Sequence, residues 1–279
     1  MAVSLTGNSP TDPEDLPSPA DVEADGEGES RSGSSLARML STLDLFSTDT
    51  PSLTVDEIAL RLGVPKSTGY RYIQELCKVG LLVRLDKSIT LGPRIIELDR
   101  CIRECDPVIR AAVPPMRELV EQTGLDASLC KLYGDSIITV HMELNDGAHV
   151  SYGYGRGKPL PLWRGSSSKS LVSALPAARL RRLHQQLTLS PAGAPTWEHF
   201  YEEVEHIRRQ GFCRTAGELN EGTTGISAPI YGRARTVVAS VTANGRNERF
   251  ALFDPAAAAE LVIHTAEAIT ARLSADRHL

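Results

Sequence analysis

The chemistry this chain offers is concentrated in a few short stretches. If the run from Pro65 is a helix with Gly69, Tyr72, Ile73 and Leu76 inward, its other face carries Lys66, Ser67, Thr68, Tyr70, Arg71, Gln74 and Lys78. Short hydroxyls, an amide and an arginine are groups that bond phosphate oxygens and base edges in a major groove. Arg71 has the planar fork that fits a guanine edge or a phosphate. An ordinary helical subdomain with a polar surface is the competing reading. A second stretch, Gly165-Ser166-Ser167-Ser168, precedes or opens a helix. Free amides and hydroxyls at such a point suit a carboxylate. Simple helix capping is the competing role for each of these serines.

Other patterns point to less. Ser166 to Lys169 fits the S-x-x-K nucleophile spacing, but its S-D-N and K-T-G companions are absent. The loop Gly153-Tyr-Gly-Arg-Gly-Lys158 matches neither common phosphate-loop pattern and reads as a flexible connection. His199, Glu203 and His206 share one helix side. A structural zinc site needs four ligands, so a solvated surface is expected there. Cys101 and Cys105 lie one helical turn apart, a spacing that serves packing more often than redox switching. Tyr152, Tyr154, Leu162 and Trp163 offer walls for an apolar ligand, or plain core. No catalysis, cofactor or metal is expected.

Charge sharpens the first pattern. The 279 residues carry a net charge of -5. Residues 1–33 hold eight acids and one base, among Pro, Ser and Gly with little to bury. That tail is expected to be disordered. Residues 60–95 hold seven bases against two acids. A basic block inside an acidic protein is the footprint of a polyanion partner. The start of the chain shows no signal-peptide pattern, and no apolar run is long enough to span a bilayer. The five cysteines are scattered and odd in number, so a reducing, cytoplasmic setting is expected.

The elements that position these groups are legible in part. Ser34 or Ser35 caps a first helix with Leu36, Met39, Leu40, Leu43 and Phe46 on one stripe. Thr54 and Glu57 form a capping box before a second helix that Gly63 stops. Pro65 opens the third, and Gly80 ends it. Two short helices joined at Gly63-Val64-Pro65 make a helix-turn-helix. Leu81–Arg84 and Ser88–Leu91 then form a hairpin, or wing, offering Arg84 and Lys87 to a nucleic-acid backbone. Pro93 starts a linker helix to about Glu104, and a further helix follows Pro107. Pro114-Pro115 should kink or restart that helix. Hairpins are expected around Gly134-Asp135 and Gly232-Arg233, with helices over 166–175 and 197–210 and from Pro255. Strands with helices on one side give an α+β second domain.

Several of these stretches resemble IclR-type transcriptional regulators. Thr54-Val-Asp-Glu-Ile-Ala, Gly63-Val-Pro-Lys-Ser-Thr-Gly-Tyr-Arg-Tyr, Leu76-Cys-Lys-Val-Gly-Leu-Leu and Leu91-Gly-Pro-Arg-Ile-Ile-Glu-Leu match that family's N-terminal domain. Leu160 to Pro176, Ile207 to Phe212, Gly225 to Ile230 and Val237 to Thr242 match further on, in the same order. The resemblance covers 34 to about 275. It implies a winged helix-turn-helix over 34–92, a linker helix over 93–106 and a GAF/PAS-like effector-binding domain over 107–279. It implies a DNA-binding regulator, dimeric or tetrameric, that docks on palindromic operator DNA and answers to a small organic or aromatic acid. Carried over position by position, it places the effector at Ser166, Ser167, Thr215, Gly225, Thr242 and Asn244. Thr215 stands where some members have an acid, and Gly225 where some have a larger side chain. The rival reading is an interaction protein whose helix-turn-helix has lost DNA. Lys66, Ser67 and Arg71 speak against it.

Overall fold

A computed structural model of the chain describes residues 34–145, 155–189 and 194–275. The acidic tail, Tyr152 and Tyr154 lie outside the described residues, as does the start of the Gly153–Lys158 loop. The contacts divide the chain into two units, with the division between Ile96 and Glu97.

The first unit is built on three helices and a wing. Ser34 caps α1 (Ser35–Leu40) by accepting from the Ala37 amide. The expected long first stripe does not form. The helix ends at Ser41, whose hydroxyl donates to the Arg38 carbonyl, and a short 3-10 turn follows over Leu43–Leu45. Such a side-chain bond competes with helical backbone pairing. Leu36 and Leu40, both within α1, remain exposed, while Met39, Leu43 and Phe46 pack on the core. The capping box of α2 (Val55–Leu62) is present in both directions, and Gly63 closes the helix at φ 63°. Pro65 caps α3 (Lys66–Lys78), which buries Gly69, Tyr72, Ile73 and Leu76. The wing pairs β1 (Leu82–Leu85) with β2 (Ser88–Leu91) in antiparallel register, and an isolated bridge ties Leu53 to Ile89.

Helix α4 (Pro93–Cys105) has no buried residue. In the second unit, a six-stranded antiparallel sheet runs in the order β5-β4-β3-β8-β7-β6. Its strands are β3 (Asp126–Tyr133), β4 (Ser136–Glu143), β5 (Pro159–Leu160), β6 (Cys213–Ala216), β7 (Thr223–Tyr231) and β8 (Val237–Arg246). Helices cover both faces, not one as the sequence reading had it. One core joins α5 (Pro107–Thr123) and α9 (Pro255–Ala275) to Leu129, Ile226, Ile230 and Val241 of the sheet. The other joins α6 (Ser166–Ser173), α7 (Ala177–Thr188) and α8 (Trp197–Gln210) to Cys130, Ile137 and Cys213. The helix α7 and the strands β5 and β6 are absent from the sequence-based expectation. Helix α5 runs past Pro114-Pro115 without restarting. Each proline removes one backbone hydrogen bond, but the buried face of Val108, Ile109, Ala112, Met116 and Leu119 holds the helix on the sheet.

The placement of α3 depends on Gly69. A Cβ there would stand 2.9 Å from the Cβ of Ala59 on α2. Alanine in a helix gains about 1 kcal/mol over glycine, while overpacking costs about 1–3 kcal/mol. Crowding should therefore win for anything larger than alanine. Gly69→Val should lower the stability of this unit by about 2 kcal/mol in urea unfolding. Adding Ala59→Gly should recover part of the loss, and an additive double variant would reject the contact.

Candidate functional site

Two sets of groups stand out, one in each unit. In the first, α3 presents Lys66, Ser67, Tyr70, Arg71 and Gln74 to solvent, while Thr68 is half-buried. Gly69 and Tyr72 turn the opposite face inward, so the polar face is fixed by packing. Lys66 Nζ lies 2.8 Å from Asp56, and Lys78 Nζ lies 2.7 Å from Glu75. The pairing with Asp56 raises the Lys66 pKa, first through the hydrogen bond and then through charge. Exposed pairs of this kind contribute about 0–1 kcal/mol, so either lysine can exchange its partner for a phosphate at small cost. Arg71 sits 5.9 Å from the Tyr72 ring centre, and the Tyr72 hydroxyl contacts Ser35 Oγ. Arg84 and Lys87 are exposed on the wing. A left-handed Asp86, at φ 53°, turns the hairpin and places Lys87 at its tip. A cavity of about 520 Å³ runs between α3 and the wing, lined by Tyr70, Gln74, Lys78, Val83 and Arg84. All eight sequence-expected residues of this unit thus lie on α3 or the wing.

In the second unit, Ser166, Ser167, Thr215, Gly225, Thr242 and Asn244 meet at the N-terminus of α6. Alternation along the strands brings them together. In register, Thr215 pairs with Gly225, and Gly225 pairs with Asn244. Thr242 and Asn244 share the face of β8 that looks toward α6, and Val241 and Ala243 face the other core. The Ser166 amide donates to Thr215 Oγ1 at 3.0 Å. Ser167 Oγ lies 2.8 Å from Thr242 Oγ1, which donates to Ser227 Oγ at 2.9 Å. Asn244 Nδ2 donates to Ser128 Oγ at 2.8 Å, and Ser240 Oγ donates to the Ser167 carbonyl at 3.0 Å.

Gly225 is required by this closeness. A Cβ there would stand 2.6 Å from Ser166 Oγ and 3.3 Å from Asn244 Oδ1. Those two oxygens have no hydrogen-bond partner among the described residues. A donor and acceptor pair is therefore left facing the one strand position that lacks a side chain. The amides of Ser167 and Ser168 have no side-chain acceptor among the described residues either, as first-turn amides of a helix commonly do not.

Sequence reasoning missed the carboxylates around this helix start. Glu218 Oε2 accepts from the Gly165 amide at 2.8 Å, and its Oε1 takes Lys169 Nζ at 2.9 Å. Lys169 also reaches Glu203 Oε1 at 2.8 Å, and Glu203 Oε2 accepts from Trp163 Nε1 at 3.0 Å. Burial alone would push the Lys169 pKa down, but hydrogen bonds to the two glutamates and their charges outweigh it and raise it. Lys169 is thus held protonated and is no base for Ser166, which closes the S-x-x-K reading. Glu203 belongs to this network, and no group of three or more His, Cys, Asp or Glu among the described residues is placed to hold a metal. Burial pushes the neighbouring Cys213 thiol up to about 12. Trp163 packs at 4.3 Å from Phe200, with Leu162 against the same core, so these side chains are core rather than ligand walls.

A signal for the polar floor was present in the sequence. Ser240, Thr242 and Asn244 alternate with Ala239, Val241 and Ala243, the period of a strand with one polar face. Glu218 carried no such signal, because it lies in a loop and meets Gly165 only through the fold.

Comparisons with known proteins bear on both surfaces. A model of the IclR helix-turn-helix domain matches residues 35–86, and a model of the C-terminal part of bacterial transcriptional regulator IclR matches 104–271. The HTH-type transcriptional regulator KipR of Bacillus subtilis is 26% identical over 220 residues, covering 77% of this chain and 87% of its own length. The Pca regulon regulatory protein of Pseudomonas putida is 25% identical over 210 residues, covering 74% and 72%. Among solved structures, an IclR homologue from Microbacterium hydrocarbonoxydans, complexed with 4-hydroxybenzoate, superposes with a TM-score of 0.73. It is 23% identical, and the match covers 86% of this chain and 99% of that one.

Removing the cation from the triad should be costly. A severed, fully buried pair costs about 3–5 kcal/mol. Glu203 and Glu218 keep side-chain exposures of 30% and 32%. Lys169→Met should therefore cost less, about 2 kcal/mol at pH 7. The raised folded-state pKa means the wild-type contribution is complete below the unfolded-state value near 10.5 and is lost only above it. The stability gap between wild type and variant, from urea unfolding, should therefore hold at neutral pH. A variant as stable as wild type at pH 7 would show that the triad contributes nothing.

Proposed function

The chain belongs to the IclR family of bacterial DNA-binding transcriptional regulators, and on that premise we propose that it is switched by a small organic or aromatic acid bound where α6 begins. In this reading residues 34–92 form the DNA-binding head, 93–106 a linker helix and 107–279 the effector domain. Helix α3 enters the major groove with Ser67, Thr68, Tyr70, Arg71 and Gln74 toward base edges and phosphates. Lys66, Arg84 and Lys87 contact the backbone beside it. The chain acts as a dimer or tetramer on a palindromic operator, because two-fold protein symmetry mirrors a two-fold site.

One observation carries the effector assignment. Ser166 Oγ and Asn244 Oδ1 converge on the side-chain-free Gly225 beneath the first turn of a buried helix. A carboxylate placed there accepts from the Ser167 and Ser168 amides and from the Ser166 hydroxyl, while Asn244 Oδ1, itself an acceptor, receives a donor such as a hydroxyl carried by the acid. Glu218 already holds the Gly165 amide, so the acid is confined to the later amides of that turn. The 4-hydroxybenzoate bound by the Microbacterium homologue supports an aromatic acid as the first ligand to try.

Binding must favour one arrangement of the chain over another to regulate anything. A ligand at 100 times its dissociation constant stabilises a protein by about 2.7 kcal/mol. A thermal-shift series on the full chain with 4-hydroxybenzoate, benzoate and aliphatic acids should therefore raise Tm by several degrees for at least one of them. That shift should vanish in Ser166→Ala and in Asn244→Ala. A series with no shift, or a shift indifferent to both variants, would refute the assignment.

A further inference from the structure

The end of α6 opposite the site above borders a separate cavity of about 570 Å³. It lies between the last turn of α6, the end of α8 and the β7–β8 hairpin. Leu175, Ile207 and Pro229 give it apolar walls. Ser170 lines it from α6. That serine is 1% exposed, and its Oγ has no hydrogen-bond partner among the described residues. A buried hydroxyl without a partner is costly and rare, and at a cavity wall it marks a place for a polar group from outside.

The charges around the cavity are unequally engaged. Arg208 is held by the fold. Its Nε and Nη2 donate to the carbonyls of Ser173 and Leu175 at 2.7 Å, and its Nη1 pairs with Glu205 at 2.8 Å. It neutralises the negative end of α6, and each of its three nitrogens already holds a partner. Arg235 is exposed and makes no hydrogen bond or ion pair among the described residues. Its charge acts on the neighbouring Tyr231. The hairpin turn that presents it is unusual. The Thr236 amide donates to the Arg233 carbonyl at 3.2 Å, with Ala234 and Arg235 both left-handed at φ 54° and 57°. Those two positions are normally taken by Asn-Gly or similar pairs. Here an arginine is held in that conformation at the mouth of a cavity.

We propose that this cavity is a second ligand site, for a small carboxylic acid with an apolar body. The carboxylate lies on the guanidinium fork of Arg235, with the Ser170 hydroxyl and the Tyr231 phenol as further donors. The hydrocarbon or aromatic part rests on Leu175, Ile207 and Pro229. The volume is in the usual range for small-molecule sites. The inference is independent of the effector assignment, since none of its residues belongs to the floor beneath Gly225.

The test is a titration of the full chain with 4-fluorobenzoate, read by fluorine NMR and by melting temperature. Arg235→Gly removes the fork and also relaxes the left-handed turn, so its melting temperature should not fall. In that variant one bound fluorine signal should weaken by about tenfold in affinity, the loss of one charge-assisted contact. Ser170→Ala should weaken the same signal by a smaller factor and leave the fold intact. Gly225→Ala should leave this signal unchanged, whatever it does at the other site. A signal that depends on Arg235 alone supports the second site even where the effector reading fails. No bound signal in the wild type would overturn the proposal. So would signals that all disappear in Gly225→Ala and ignore Arg235→Gly.

Discussion

Helix α6 has every one of its eight side chains buried, and six of them are polar. Five serines and a lysine inside a protein must find partners within it, because an unpaired buried polar group costs about 1–3 kcal/mol. Much of the second unit answers that demand. The strands β3, β7 and β8 present Ser128, Ser227, Ser240, Thr242 and Asn244 beneath the helix instead of a hydrocarbon floor. Helix α8 supplies Glu203 to Lys169, and Arg208 to the last carbonyls of α6. The loop before β7 supplies Glu218. A sheet with an apolar layer on one face and a polar layer on the other is the result.

The proposed binding sites lie where polar atoms are left unpaired after this matching. Ser166 Oγ and Asn244 Oδ1 at one end of α6, and Ser168 Oγ and Ser170 Oγ further along it, are polar atoms without a hydrogen-bond partner among the described residues. In the first unit the logic is reversed. There the core is apolar apart from the buried Thr42, and most polar side chains of α3 stand in solvent, where weak ion pairs hold Lys66 and Lys78. Such a face is free to exchange water and weak partners for phosphates and base edges.

The head was legible because its signals are local. Thr54 and Glu57, Gly63 and Pro65 act within a few residues of themselves, and each stands where the sequence placed it. The first helix misled because Leu36 and Leu40 keep helical spacing, yet the helix stops at Leu40 and both side chains stay exposed. In the second unit the six effector positions came from resemblance, and strand register explains why they meet. The both-sided sheet was not legible, since α7 offers only Leu180 and Leu183 as a buried stripe. Glu218 and the Arg235 turn were also beyond reach, because a loop carboxylate and a left-handed arginine acquire their roles only from distant neighbours.

The central claim is that one chain joins the groove-reading face of α3 to the acid-binding floor under α6. Fluorescence anisotropy of the full chain on DNA from upstream of its own coding region tests it directly, with and without the acid that shifts its melting temperature. Allosteric coupling is commonly about 1–3 kcal/mol, so the acid should change DNA affinity about five- to hundredfold. Ser166→Ala should keep the unliganded affinity and lose the response, while Arg71→Ala should weaken binding in both states. An acid that binds without changing DNA affinity, or a response that survives Ser166→Ala, would contradict the account.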